Sequence, residues 1–284
     1  QSIPLLSVRL SVLQADFQFP LLTPSVPETK ESFRLAAEAG IHMVLSTGRC
    51  QVECLHLLRE LPQIRYMINC SGASIYDCEQ ERELYVEGLP MPLIRQMSDA
   101  VAPMECLFEL MADGQVLTDR SRLERLSEYH NPYYIDIIAA TRTPVDMAHL
   151  LETRQEPVAK LHLFFRSPEE QQQARTLLEP FGLPILSSVS ENLEINQPHV
   201  DKGLGIRKLA ELLQIPLAET MAIGDNLNDL GMFREAGYPV AMENAAPEAK
   251  AMTRYETASC DENGVAAVIH HVLQGTLEQL RKER

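Results

Sequence analysis

Five places in this 284-residue chain carry side chains able to do chemistry, and four of them follow apolar runs of strand length. Asp16 comes at the end of the run at 8–15, and Thr47-Gly48 follows the run at 41–45. Ser71-Gly72 follows the run at 66–70, and Gly224-Asp225-Asn226-Leu227-Asn228-Asp229 follows the run at 220–223. The fifth, Lys202, opens a helical pattern. Strand ends of a parallel sheet meet in one crevice, so these groups would offer carboxylates, a hydroxyl, a glycine amide and an ammonium to a single ligand. That set suits a magnesium-assisted phosphate site. Mg2+ takes hard oxygens in octahedral geometry, commonly one or two carboxylates with waters and phosphate. Asp16 and Asp225 would supply the carboxylates. Lys202, the Thr47 hydroxyl and backbone N–H groups would hold phosphoryl oxygens. A carboxylate can also attack phosphorus and form an aspartyl-phosphate that water then hydrolyses. Each member has a plainer reading: Asp16 as a turn residue, Thr47-Gly48 as turn chemistry, Asp225 and Asp229 as helix caps. The string from Gly224 to Asp229 is the most specific, because two acids and two amides at a strand–helix junction are costly without a cation or ligand.

The elements that must position these residues can be read from periodicity. Strand patterns at 8–15, 41–45 and 66–70 alternate with helical patterns at 27–39 and 51–61, with Pro27 at a helix start and Gly40 at its stop. That order predicts a parallel sheet with crossover helices. The rhythm changes after residue 73, with short strands around a polar turn at 77–82, a helix at 92–102 and a hairpin at 106–118 around Asp113-Gly114. A strand at 159–165, a helix at 169–181 and further strand at 185–194 complete this middle section. The first rhythm returns with helix 202–213, strand 220–223, helix 228–236 and strand 238–242. Helices at 247–252 and 264–280 follow, with an edge strand at 254–259 between them. The expected architecture is α/β: a Rossmann-like parallel sheet with helices on both faces, formed by 1–81 and 193–284, plus an inserted α+β domain at 82–192.

Forty acidic against 25 basic residues give a net charge of −15, which disfavours nucleic acid and anionic membranes as partners. A phosphorylated substrate would need a local cationic site, which Lys202 provides. No apolar run reaches the roughly 20 residues of a membrane helix. The six cysteines are scattered, and the Cys50/Cys54 pair lacks a second pair or a histidine cluster to complete a zinc site. Reduced thiols and a cytoplasmic location are expected.

Taken together, these residues resemble the haloacid dehalogenase superfamily, and within it the Cof-type sugar-phosphate phosphatases, over nearly the whole chain. Val44-Leu45-Ser46-Thr47-Gly48-Arg49 resembles the family's second motif, Asp201-Lys202-Gly203 its third, and Ile223-Gly224-Asp225-Asn226-Leu227-Asn228-Asp229 its fourth. Leu21-Leu22-Thr23-Pro24, Val240-Ala241-Met242-Glu243-Asn244-Ala245 and Asn263-Gly264-Val265-Ala266 are further matches, and the insertion lies where this family carries its cap. The resemblance implies that Asp16 is the nucleophile and a magnesium ligand, that Thr47 and Gly48 contact phosphate, and that Lys202 binds phosphate and orients the nucleophile. It implies that Asp225 ligates magnesium, with Asn228 and Asp229 supporting the phosphate and metal shells. Gln18 would join the metal set through its backbone carbonyl, giving Asp16, Gln18, Asp225 and Asp229.

The first motif departs from the family pattern Asp-x-Asp-Gly-Thr. Here it reads Asp16-Phe17-Gln18-Phe19-Pro20. Gln18 stands where the family has its general acid/base, and an amide neither protonates a leaving group nor deprotonates water. Losing such a group typically costs about 10²–10⁴ in rate. Phe19 replaces a turn glycine, and Pro20 removes an N–H. The expected function is therefore magnesium-dependent hydrolysis of a small phosphorylated metabolite, a sugar phosphate or similar, through an aspartyl-phosphate and impaired at Gln18. The alternative is a pseudo-phosphatase that binds a phosphorylated ligand or metal without turnover. Glu194 and Asn196 suit either a crevice contact or a hinge. Tyr133 and Tyr134 suit core or ligand contact equally.

Overall fold

The computed structural model describes residues 8–14, 27–129 and 135–282, and divides the chain into two compact units. The first comprises Gln1–Arg49, Cys54–Tyr85 and Asp201–Arg284. The second comprises Cys50–Glu53 and Val86–Val200, where the sequence pattern had suggested 82 and 192 as its limits. Asp16, Gln18, Phe19, Pro20, Tyr133 and Tyr134 lie outside the described residues.

The first unit is built on an eight-stranded sheet. Its strands are β1 (Leu10–Gln14), β2 (His42–Ser46), β3 (Ile64–Asn69), β4 (Ser74–Asp77), β5 (Arg82–Val86), β12 (Thr220–Gly224), β13 (Tyr238–Met242) and β14 (Tyr255–Thr257). The order is β14-β13-β12-β1-β2-β3-β4-β5. From β14 to β3 every pairing is parallel, and β4 turns back antiparallel to β3. The connections run outward from β1 in both directions, so the strand order reverses at β1, the place where open α/β sheets bind ligands. Register sets the strand ends level: Leu13 pairs with Ile223 on one side, and Gln14 with Ser46 on the other.

Helices cover both faces. One core joins Leu13, Met43, Leu45 and Ile223 to Phe33 of α1 (Pro27–Glu38), Leu57 of α2 (Leu55–Glu60) and Val268 of α11 (Gly264–Gln274). The opposite core joins Leu10, Val12, Val44 and Ile68 to Ile206 of α8 (Lys202–Leu213), Met232 of α9 (Leu230–Glu235) and Ala249 of α10 (Pro247–Met252). Alternate residues of each central strand feed opposite cores, which is why these strands read as continuous apolar runs.

The second unit holds a six-stranded sheet of order β10-β11-β9-β6-β7-β8. The strands are β6 (Leu107–Ala112), β7 (Gln115–Asp119), β8 (Arg142–Val145), β9 (Lys160–Phe164), β10 (Ile185–Leu186) and β11 (Asn192–Ile195). One face packs Leu110, Leu161, Leu163 and Leu193 against Ile94 and Met97 of α3 (Met91–Val101), Met147 of α6 (Met147–Thr153) and Ala174 and Leu178 of α7 (Pro168–Leu178). The opposite face is partly apolar, with Leu107 and Phe164 clustered with Leu123 of α4 (Arg120–Leu123) and Ile138 of α5 (Ile135–Ala140). The same face carries a polar row directly across four strands: Glu194, His162, Glu109 and Thr118.

Candidate active site

Thr47 continues from β2 into a loop that the end of β3 locks in place. Its N–H donates to the Ile68 carbonyl at 2.9 Å, and its own carbonyl accepts from the Ser71 N–H at 3.0 Å. Its hydroxyl oxygen accepts from the Arg49 N–H at 3.2 Å. Thr47 is buried and Gly48 half-buried. The partner turn is tightly wound: Cys70, Ser71 and Gly72 have φ of 52°, 62° and 105°. Gly72 is required there. A Cβ on it would lie 1.9 Å from the Asp201 carbonyl oxygen, so the turn rests directly on the residue that starts α8.

Asp201 caps α8, its Oδ1 accepting from the Leu204 N–H at 2.9 Å, while Oδ2 pairs with Arg234. Such a cap satisfies an otherwise orphaned helix donor. The next residue, Lys202, is 1% exposed, and its Nζ donates to Asp229 Oδ1 at 2.9 Å. α8 reaches this depth because two small residues let neighbours approach. A Cβ on Gly203 would meet the Gly231 carbonyl oxygen at 2.4 Å, and one on Gly205 would meet Ile68 Cγ2 at 2.2 Å.

Asp229 is fully buried, and both of its oxygens are engaged. Oδ1 takes Lys202, and Oδ2 accepts the backbone N–H groups of Asp225 (3.1 Å) and Asn226 (3.0 Å). Gly224 is the only residue type that fits beside it, since a Cβ there would sit 2.6 Å from Oδ2. The carboxylate therefore folds the 224–229 loop around itself, closing a reciprocal cap with Asn226. Sequence reasoning grouped Asp229 with the metal ligands. The structure places it buried, with the Lys202 ammonium and two backbone N–H groups of the loop among its donors.

Asp225 is half-buried at the mouth of that loop, and Asn228 is exposed beside it. Three groups fix Asp225: its N–H on Asp229, its carbonyl accepting from the Ala246 N–H at 2.9 Å, and its Oδ2 accepting from Asn244 Nδ2 at 2.8 Å. The structure thus links Thr47 to Ser71-Gly72, Gly72 to Asp201-Lys202, Lys202 to Asp229, and Asp229 to Asp225, all at the carboxyl ends of the central strands. Asp16 and Gln18 follow β1 in sequence but lie outside the described residues.

Hard oxygen donors of this kind fit a magnesium ion. Asp225 offers one carboxylate oxygen with no protein donor on it among the described residues. No group of three or more His, Cys, Asp and Glu converges among the described residues.

Sequence reasoning gave Asn244 no role, although the string at 240–245 was noted; nothing in a turn sequence says that its amide reaches back to Asp225. It also missed the buried charges of the second unit. Arg142 is bidentate on Glu109 and reaches Glu53 at 2.9 Å, and Lys160 is paired with Glu194. Burial works against the Glu109 charge, but the Arg142 guanidinium overrides it and holds the carboxyl below its ordinary range. Burial likewise opposes the Glu194 charge, and Lys160 and His162 override it. Burial depresses the His162 pKa. Glu194 and Asn196, open between crevice and hinge in the sequence, are bonded within this unit, the latter to the Ala159 carbonyl at 2.9 Å.

Cys78 and Cys106 are free thiols. No helix among the described residues is long and apolar enough to cross a membrane.

Residues 23–269 match the haloacid dehalogenase-like hydrolase family. The chain is 26% identical over 265 residues to Phosphatase YwpJ of Bacillus subtilis (strain 168), covering 87% of this chain and 93% of that protein. It is 28% identical over 265 residues to 5-amino-6-(5-phospho-D-ribitylamino)uracil phosphatase YwtE of the same organism, covering 87% and 92%. A solved haloacid dehalogenase-like hydrolase from Bacteroides thetaiotaomicron superposes with a TM-score of 0.78 at 24% identity, covering 93% of this chain and 99% of that one. With the family matched across most of its length and its fold shared, the chain belongs to the haloacid dehalogenase-like hydrolases.

Proposed function

We propose that this protein is a magnesium-dependent phosphoric monoester hydrolase acting on a small phosphorylated metabolite, a sugar phosphate or similar, with Asp16 as nucleophile. The observation that carries the reading is the buried Lys202–Asp229 pair holding the Asp225 loop at the point where strand order reverses. The names of the relatives, phosphatases, support the same chemistry.

In this reading Asp16, Asp225 and the Gln18 carbonyl hold the ion. Bound magnesium supplies charge neutralisation between an anionic carboxylate and an anionic phosphate. Thr47, Gly48, Lys202 and Asn228 bind and orient the phosphoryl oxygens. An oxygen of Asp16 forms a bond to phosphorus as the ester oxygen departs with its electron pair. Water then attacks the aspartyl-phosphate, releasing phosphate and the free carboxylate. Lys202 keeps its ammonium at the phosphoryl oxygens because Asp229 fixes its Nζ.

Gln18 supplies no proton to the departing oxygen and accepts none from water, so turnover is slow. Substrates whose leaving group departs unprotonated, such as p-nitrophenyl phosphate, are favoured over alkyl phosphates. The same residue favours one second reading, a binding protein without turnover. Magnesium-dependent release of p-nitrophenolate, abolished by Asp16→Asn, supports the hydrolase. Its absence from the parent chain, with turnover appearing in Gln18→Asp combined with Phe19→Gly and Pro20→Thr, supports the binding protein.

A further inference from the structure

We infer that Asn244 is a positioning residue that holds the Asp225 carboxylate for ligation through one oxygen, and so biases the site toward magnesium over calcium. The inference rests on the proposed function above, in which Asp225 is a metal ligand.

The geometry is specific to one loop. The turn after β13 is closed by the Ala245 N–H on the Met242 carbonyl at 2.9 Å, and it projects Asn244 toward the end of β12. Gly224 and Ala241 are neighbours across β12 and β13, so the loops that follow these strands emerge side by side. From one loop come two bonds to the same residue: the Ala246 N–H on the Asp225 carbonyl, and Asn244 Nδ2 on Asp225 Oδ2. Asp225 also donates its N–H to buried Asp229, so its backbone is fixed at both ends and its carboxylate at one oxygen.

A fixed backbone leaves a carboxylate one soft rotation, about its terminal bond. Unrestrained, that rotation lets both oxygens approach a cation together. Calcium accepts this, since it takes 6–8 oxygens in flexible geometry with carboxylates mono- or bidentate. Magnesium demands near-octahedral geometry. An amide N–H on Oδ2 occupies that oxygen and leaves Oδ1 as the one that would ligate a cation. Partners of this type orient ligands and typically carry 10–100-fold in metal affinity. Asn244 itself is exposed and packs no core, so its removal takes away this bond and little else.

Calorimetric titration of the full chain with MgCl2 and separately with CaCl2 tests this, beside Asn244→Ala. The expected result is a magnesium dissociation constant raised about 10–100-fold, with calcium binding weakened less, so that the preference for magnesium narrows about tenfold. The unfolding midpoint without metal is expected to stay within about 2 °C of the parent. Equal loss for both ions, or a lowered metal-free midpoint, makes the bond merely structural and overturns the inference. Unchanged magnesium binding overturns it while leaving the hydrolase reading intact. A parent chain that binds magnesium without hydrolysing p-nitrophenyl phosphate overturns the hydrolase reading alone, and the ratio of constants still decides on Asn244. A parent chain that binds neither ion overturns both.

Discussion

Asp229 accepts from an ammonium and two backbone amides with no exposed surface, so truncating it removes an acceptor from each of these donors. Removing one partner of a buried ion pair typically costs about 3–5 kcal/mol. Asp229→Ala is therefore expected to destabilise the first unit by about that amount, read by denaturant unfolding followed by circular dichroism. Asp229→Asn keeps the shape and one acceptor, and should fall between the parent and Asp229→Ala. Equal stability of all three chains would contradict the assignment. The types of these residues were legible in the sequence, because acids and amides packed after an apolar strand need something to neutralise them. Their division of labour was not. Spacing could not separate the buried Asp229, which holds the loop, from the half-buried Asp225, whose Oδ2 takes Asn244; only burial does that.

At the scale of elements, the long apolar patterns were read well. Helix α8 runs over Lys202–Leu213, strand β13 over Tyr238–Met242 and helix α10 over Pro247–Met252, as the periodicity predicted. The expected helix at 51–61 is instead a tight turn at Gln51–Cys54 followed by α2, with Glu53 drawn to Arg142. The expected helix at 264–280 stops at Gln274, because Gly275 adopts φ 70°. Strand β8 was missed because it opens on a buried arginine and contains Pro144, which an edge strand tolerates. Contact between elements depends on glycines whose role no pattern shows. Gly72→Ala would force both a strained φ, about 1–2 kcal/mol, and a clash with the start of α8, about 1–3 kcal/mol more. Gly40 also has positive φ, at 82°, but nothing lies within 4 Å of its added Cβ. Gly40→Ala should therefore cost only the backbone part, and thermal unfolding of the two variants side by side checks the difference.

Across the whole molecule, partly buried titratable groups set the response to acid. The second unit holds half-buried His162 between Glu109 and Glu194 on adjacent strands. Its depressed pKa means that the unfolded chain binds a proton first. Stability is thus intact above the unfolded value of about 6.5 and is lost as pH falls from there toward the folded value. Glu109 and Glu194, also depressed, add a second loss that begins below about 4.3, where the unfolded carboxyls start to protonate. Both effects run the same way, so the unfolding midpoint should fall in two stages on acidification. His42 and His56 of the first unit, also lowered by burial, contribute to the first stage, so His162→Gln should shrink it and leave the second; an unchanged first stage would contradict the linkage to this ring.

The proposed hydrolysis of a phosphate monoester needs Asp16 together with the groups gathered at the carboxyl ends of β2 and β12. Release of p-nitrophenolate from p-nitrophenyl phosphate, measured with and without MgCl2 for the parent and Asp16→Asn, tests it most directly. Slow, magnesium-dependent release by the parent and none by the variant is expected. Equal release by both chains would contradict it.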